Sequence, residues 1–216
     1  MSELTLPYYV HPSAEIDASV KIGPGTRIWH QVQVREDAII GAGCVISKDV
    51  YIDAGVVIGD RVKIQNGVSV YKGVVLEDDA FVGPHASFTN DLMPRAFATD
   101  WEVVPTYVHR GAAIGANATI VCGVTLGAYS MVAAGSTVTA DVAPHALVIG
   151  SPARLVDYIC RRGHRMKKAG YHNHDRHFVC SACGEELRIS YALSLVDRAE
   201  RRELPFDEAL PVLRQG

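Results

Sequence analysis

Side chains able to do chemistry gather in two parts of this 216-residue chain. One is the stretch FTNDLMPRAFATDWEVVPTYV, Phe88 to Val108, with Asn90 at its start followed by Arg95, Asp100, Trp101, Glu102 and Tyr107. Asn90 does not titrate and so is no general base, but its amide oxygen accepts a hydrogen bond and can orient a donor. His85, in GPHASF just upstream, is the second catalytic candidate, because an imidazole with a pKa of about 6.5 suits proton transfer. Arg95 offers a planar fork for carboxylate or phosphate. Tyr71, Lys72 and His30 are further candidates for ligand binding, and each is equally readable as ordinary surface. Cys122 as a nucleophile would need a base or a cation to lower its pKa; none adjoins it in sequence, and a small packed hydrophobe fits it better. The other region is DYICRRGHRMKKAGYHNHDRHFVCSACGEEL. Here Cys180-x-x-Cys183 followed by Gly is half of a zinc ribbon, and Cys160 with His164 would complete a tetrahedral set for a structural zinc.

The elements that must hold these groups follow from one repeat. An aliphatic residue, or Phe, recurs at every sixth position from Val10, Ile16, Ile22 and Ile28 through to Val82 and Phe88. The same frame returns at Val108, Ile114, Ile120, Leu126, Val132 and Val138. No helix has that period, and a half-buried strand in an ordinary sheet would alternate with period two. Two inward side chains and a turn, often marked by Gly as in IGPGTR and IGAGCV, make up each unit. Such a unit cannot bury its apolar side alone, so the units must stack. The expected fold is all-β: a left-handed parallel β-helix of hexapeptide repeats over residues 1–154, with residues about 18 apart stacked vertically.

Phe88 to Val108 spans twenty positions where six would serve, so residues 91–107 are expected to leave the solenoid as one long loop. Pro94 and Pro105 cannot join a ladder, and Asn90-Asp91 favours a turn. If the loop replaces one corner, Ile120 lies above Phe88, Asn90 beneath Cys122, and Lys72 one coil below Asn90. Insertions on one side of a solenoid commonly mark its binding face. Residues 155–216 are expected to form a small C-terminal α/zinc-ribbon-like tail, with SLVDRAERRELPFDEALPVL helical before Pro205.

A net charge of -3 offers no electrostatic footprint for nucleic acid. No apolar run approaches the roughly 18–20 residues of a membrane span, and MSELTLPYYV lacks the basic and apolar regions of a secretory signal. A cytoplasmic protein is expected, and five Cys, two of them isolated, suit a reducing compartment.

The strings KIQNGVSVYKGVVLEDDAFVGP, FTN with PR four residues later, GAAIGANATIVCGVTLG and ALVIGSPAR resemble the hexapeptide acyltransferases that N-acetylate nucleotide-linked amino sugars. The resemblance covers about residues 10–156 and is nearest to the UDP-2-acetamido-3-amino-2,3-dideoxyglucuronate N-acetyltransferases of bacterial surface-polysaccharide pathways. It implies acetyl transfer from acetyl-CoA to a sugar 3-amino group, in a homotrimer with active sites between subunits. It also implies that Asn90 contacts the substrate amine, holding its lone pair toward the thioester. Small residues in GAN and AAG, centred on Ala116 and Ala134, would let the pantetheine arm approach the backbone, and Arg154 resembles a residue that meets the CoA phosphates. Alternatives are another acceptor, such as a dTDP-linked 3-amino-deoxyhexose, and a non-catalytic nucleotide-sugar binding module. For the tail the alternative is a metal-free remnant, since Arg162 stands where some solenoid relatives carry a second Cys.

Overall fold

The computed structural model describes residues 7–172 and 175–190, and the chain divides into two compact units, Met1–Gly163 and His164–Gly216. In the first, every hexad forms a strand of two or three residues that pairs in parallel with the strand one coil away, as Tyr9 does with Arg27, Arg27 with Val45 and Val45 with Lys63. Three parallel walls result, and the chain visits them in rotation. The last residue of each of these strands points inward. Ile28, Ile46, Ile64, Leu76, Ile114, Ile120 and Leu126 are all fully buried. Truncating one of them to Ala would cost about 2–5 kcal/mol. Val10, Ile16 and Ile22 in the first coil are only half-buried, because no coil lies beneath them.

At most corners one residue takes a left-handed conformation, among them Gln31, Asp37, Asp49, His85 and Asn117. The last hexads are closed by Ala146–Gly150, which continues the first wall in parallel and then pairs antiparallel with Ala153–Tyr158. That strand runs past residue 154, where the solenoid was expected to end.

The second unit is an antiparallel sheet of Lys167–His172, Asp175–Val179 and Glu186–Ile189. The α character expected of the tail is not found among the described residues, and the stretch expected to be helical before Pro205 lies outside them. No helix among the described residues is long and apolar enough to cross a membrane.

Candidate active site

The wall formed by Glu15–Ile16, Gln33–Val34, Tyr51–Ile52, Ser69–Val70, Ser87–Phe88, Thr119–Ile120 and Thr137–Val138 carries the candidate site. In its upper half the outward residues are small and hydroxylated: Ser69, Ser87, Thr119 and Thr137. Small side chains leave a ligand room to lie along the wall, and their hydroxyls both donate and accept. One edge of the wall holds Asn90 and the inserted loop; the other holds His85, Ala116 and Ala134.

At the Asn90 edge, Phe88 pairs with Ile120, so Asn90 stacks beneath Cys122, and the Ser69–Ser87 pairing sets Lys72 one coil below Asn90. Three hydrogen bonds hold this corner. Thr89 N–H donates to Ile120 C=O at 3.0 Å, Cys122 N–H donates to Thr89 Oγ1 at 2.9 Å, and Val104 N–H donates to Asn90 C=O at 3.1 Å. Asn90 is half-buried, with its backbone pinned on both sides. Below it, the Asp53 carboxylate accepts from Lys72 N–H at 3.1 Å, Ala54 N–H at 2.8 Å and Tyr51 OH at 3.0 Å. Burial would raise the Asp53 pKa, but the Ala54 and Lys72 N–H groups outweigh it and hold the carboxyl below its ordinary value. Tyr71 and Lys72 are exposed beside it, with the Tyr71 ring tilted 58° against Tyr51.

The loop returns to the solenoid through Val103 and Val104, between two glycines. A Cβ on Gly73 (φ +94) would meet Val103 Cγ1 at 2.5 Å, and one on Gly123 (φ +86) would meet Val104 Cγ1 at 3.1 Å. Glycine is needed here both for the left-handed backbone and for the close approach. The rest of the loop stands in solvent. Met93 and Phe97 are 80% and 84% exposed, and the Arg95 guanidinium donates to Pro94 C=O at 2.7 Å.

At the other edge, His85 is exposed and left-handed (φ +58), and its ring lies over Gly67. It sits across the strand Ser87–Phe88 from Asn90, at a different corner of the prism. Above it the chain is pared to small residues: Asn117 N–H donates to Pro84 C=O at 3.0 Å, and Gly135 N–H donates to Ala116 C=O at 2.8 Å. Ala116 and Ala134 stack one coil apart in this column. Ser151, in the turn above, donates its hydroxyl to Thr137 Oγ1 at 3.0 Å, and Arg154 is exposed just beyond. His30 lies at this edge far below His85, stacked on His11 with ring centroids 3.6 Å apart.

The structure therefore groups Asn90 with Tyr71 and Lys72 at one edge, and His85 with Ala116 and Ala134 at the other. Within one chain it does not bring the two sets together. Thr89, Gly73 and Gly123 were missed by sequence reasoning. Thr89 is the middle letter of FTN, and its hydroxyl acts on a backbone group 33 residues away, which no local spacing reveals. A shallow concavity lined by Val57, Glu77, Asp78 and Arg110 lies at a third corner, away from both sets. In the second unit, His164, Cys180 and Cys183 have ligand atoms within 4.8 Å of one another; Cys160, buried, ends the first unit.

With this geometry in view, the relatives are informative. The bacterial transferase hexapeptide family (six repeats) matches residues 19–54, 55–90 and 105–140, and the chain belongs to this family. It is 39% identical over 198 residues, 92% of this chain and 98% of the relative, to the dTDP-3-amino-3,6-dideoxy-alpha-D-galactopyranose 3-N-acetyltransferase of Aneurinibacillus thermoaerophilus. Among solved structures, it is similar to a single-residue mutant of GDP-perosamine N-acetyltransferase from Caulobacter crescentus in complex with CoA and GDP-perosamine (26% identity, TM-score 0.49). That likeness covers 69% of this chain and 56% of the other. A hexapeptide-repeat acetyltransferase of Vibrio cholerae complexed with acetyl-CoA is 28% identical at a TM-score of 0.45, over 52% of this chain and 69% of that one.

Proposed function

We propose that the chain is an acetyl-CoA-dependent N-acetyltransferase acting on the 3-amino group of a nucleotide-linked sugar. The observation that carries this is the identity to a 3-amino-sugar nucleotide N-acetyltransferase along nearly the whole of both chains. The neutral amine attacks the thioester carbonyl carbon, forming the C–N bond. The C–S bond then breaks, and the departing thiolate takes the proton lost by nitrogen, leaving the amide and free CoA thiol. Asn90 accepts a hydrogen bond from the amine and keeps its lone pair on the carbonyl, so its contribution is orientation. Acetyl-CoA supplies the activated acyl group.

The acceptor lies against the Asn90 edge, where Lys72 and Arg95 meet its charged groups and Tyr71 its rings. The acetyl-CoA arm follows the column of Ala116 and Ala134 toward Arg154. His85 is the second candidate for a catalytic role. Because the two sets occupy different corners, a site that uses both takes them from neighbouring copies. A homotrimer meets that need, and an apolar ladder supports it: Ile39, Val57, Val75 and Tyr107 stand outward in register on the wall after the Asn90 corner, Ile39, Val57 and Tyr107 being exposed. Both substrates place the reaction in the cytoplasm, on a route to a surface glycan.

The test is thiol release from acetyl-CoA with a panel of acceptors. It comprises a dTDP-3-amino-3,6-dideoxyhexose, UDP-2-acetamido-3-amino-2,3-dideoxyglucuronate and a 4-amino nucleotide sugar. Release is expected with the 3-amino acceptors, the dTDP-linked one first. Binding of nucleotide sugar without release from any acceptor would leave only the binding module.

A further inference from the structure

Among its described residues the second unit has only a small apolar core for its sheet. Three short antiparallel strands bury Met166, Phe178 and Ile189 among the described residues. Below about 70–80 residues a single core rarely suffices, and small scaffolds are held by a disulfide, a metal or a partner. No disulfide joins the five cysteines. A soft donor set stands beside the sheet instead, with Cys180 buried and His164 and Cys183 exposed. The ligand atoms of His164, Cys180 and Cys183 lie within 4.8 Å of one another, with His164 Nδ1 3.7 Å from Cys180 Sγ. A tetrahedral ion with Zn–S of about 2.3 Å and Zn–N of about 2.0–2.1 Å requires an N···S separation of about 3.6 Å.

The turn that carries the two cysteines is built for this. Gly184 N–H donates to Cys180 C=O at 2.9 Å and Cys180 N–H to Glu185 C=O at 2.8 Å, with Gly184 left-handed at φ +74. This curls the backbone N–H groups of Ala182 and Cys183 onto the Cys180 sulfur. A thiolate is the form a metal binds.

We propose that the unit from His164 onward is a zinc module in which His164, Cys180 and Cys183 hold a Zn2+ ion that staples the three strands. Cys160, four residues before His164 in a turn closed by Gly163 N–H to Cys160 C=O at 2.8 Å, is assigned as the fourth ligand from its place in the sequence. Thiolates with imidazole select zinc over the oxygen-seeking Mg2+ and Ca2+. A closed four-ligand set is structural and leaves no position for substrate. The module is thus separate from acyl transfer.

The test uses the full chain without an affinity tag, grown without added metal and purified with reductant. Elemental analysis is expected to find about one zinc per chain. Replacement by Co2+ should give the thiolate charge-transfer and d–d bands of a tetrahedral site. The Cys180→Ser, Cys183→Ser double variant should lose the metal and become protease-sensitive after His164, while the melting transition of the solenoid persists. The exposed Cys183→Ser variant alone should weaken zinc at least tenfold against a chromophoric chelator, which covers the case in which the double variant fails to fold. Metal-free protein that does not compete with the chelator for added Zn2+, a Cys180–Cys183 disulfide in its place, or full zinc content in the double variant would each overturn the proposal.

Discussion

Between Val70 and Val74 three residues, Tyr71, Lys72 and Gly73, carry the chain from one wall to the next; one coil higher, the same corner is crossed by everything from Thr89 to Pro105. The walls on either side are indifferent to the change. Ser69 pairs with Ser87 below the insertion, Phe88 with Ile120 across it, and Leu76 with Val108 after it. Register is set by inward side chains and parallel ladders, so a corner can be opened without disturbing the stack. What the long corner gains is a half-buried Asn90 pinned by its neighbours and a loop whose large apolar groups stand in solvent.

The sharpest way to break this comparison is to make the two corners alike. Replacing residues 91–103 with a short Gly-rich turn is expected to leave the melting temperature of the solenoid nearly unchanged and to remove more than about 10³-fold of kcat/KM. A large loss of stability would mean that the loop is part of the core. Asn90→Ala leaves both corners their length. It should lower kcat about 10²-fold with the oligomeric state intact; unchanged turnover would remove Asn90 from the mechanism. Gly73→Ala acts from the short corner on the long one, because the new Cβ strikes Val103 and the residue is left-handed. About 1–2 kcal/mol of stability should go, and kcat should fall more than the nucleotide-sugar KM rises. An effect on stability alone would uncouple the two corners.

The smallest effect belongs to Asp141, in the same corner two coils above the Asn90 level. Its carboxylate accepts from Thr125 N–H at 2.6 Å, yet burial outweighs that bond and raises its pKa. A raised carboxyl pKa means that the folded state loses stability as pH climbs from the ordinary carboxylate value through the raised one. Asp141→Asn keeps the acceptor and removes the charge. Its melting temperature relative to the parent should therefore rise with pH, by on the order of 2 °C between acid and neutral conditions. A difference independent of pH would show that Asp141 is ionised in the fold at no cost.

Much of this was legible in the sequence because a solenoid is periodic. A residue's vertical neighbours are those 18 positions away, so the hexad frame alone gave the walls, the inward set and the stacking of Lys72, Asn90 and Cys122 once the loop was assigned to a corner. The tail was legible to the extent that Cys-x-x-Cys-Gly is a local turn. The helix expected before Pro205 lies outside the described residues, and the described part of the tail is an antiparallel ribbon.

The sequence by itself determined the period, the number of residues that escape it, and the chemical types available at the break. Only the tertiary structure decided that Thr89 ties the corner to Cys122 and that Gly73 and Gly123 admit Val103 and Val104. Those facts depend on how an aperiodic loop closes and on which atoms meet across about 20 to 30 residues of chain. Hydrogen bonds and steric gaps of that kind leave no trace in spacing.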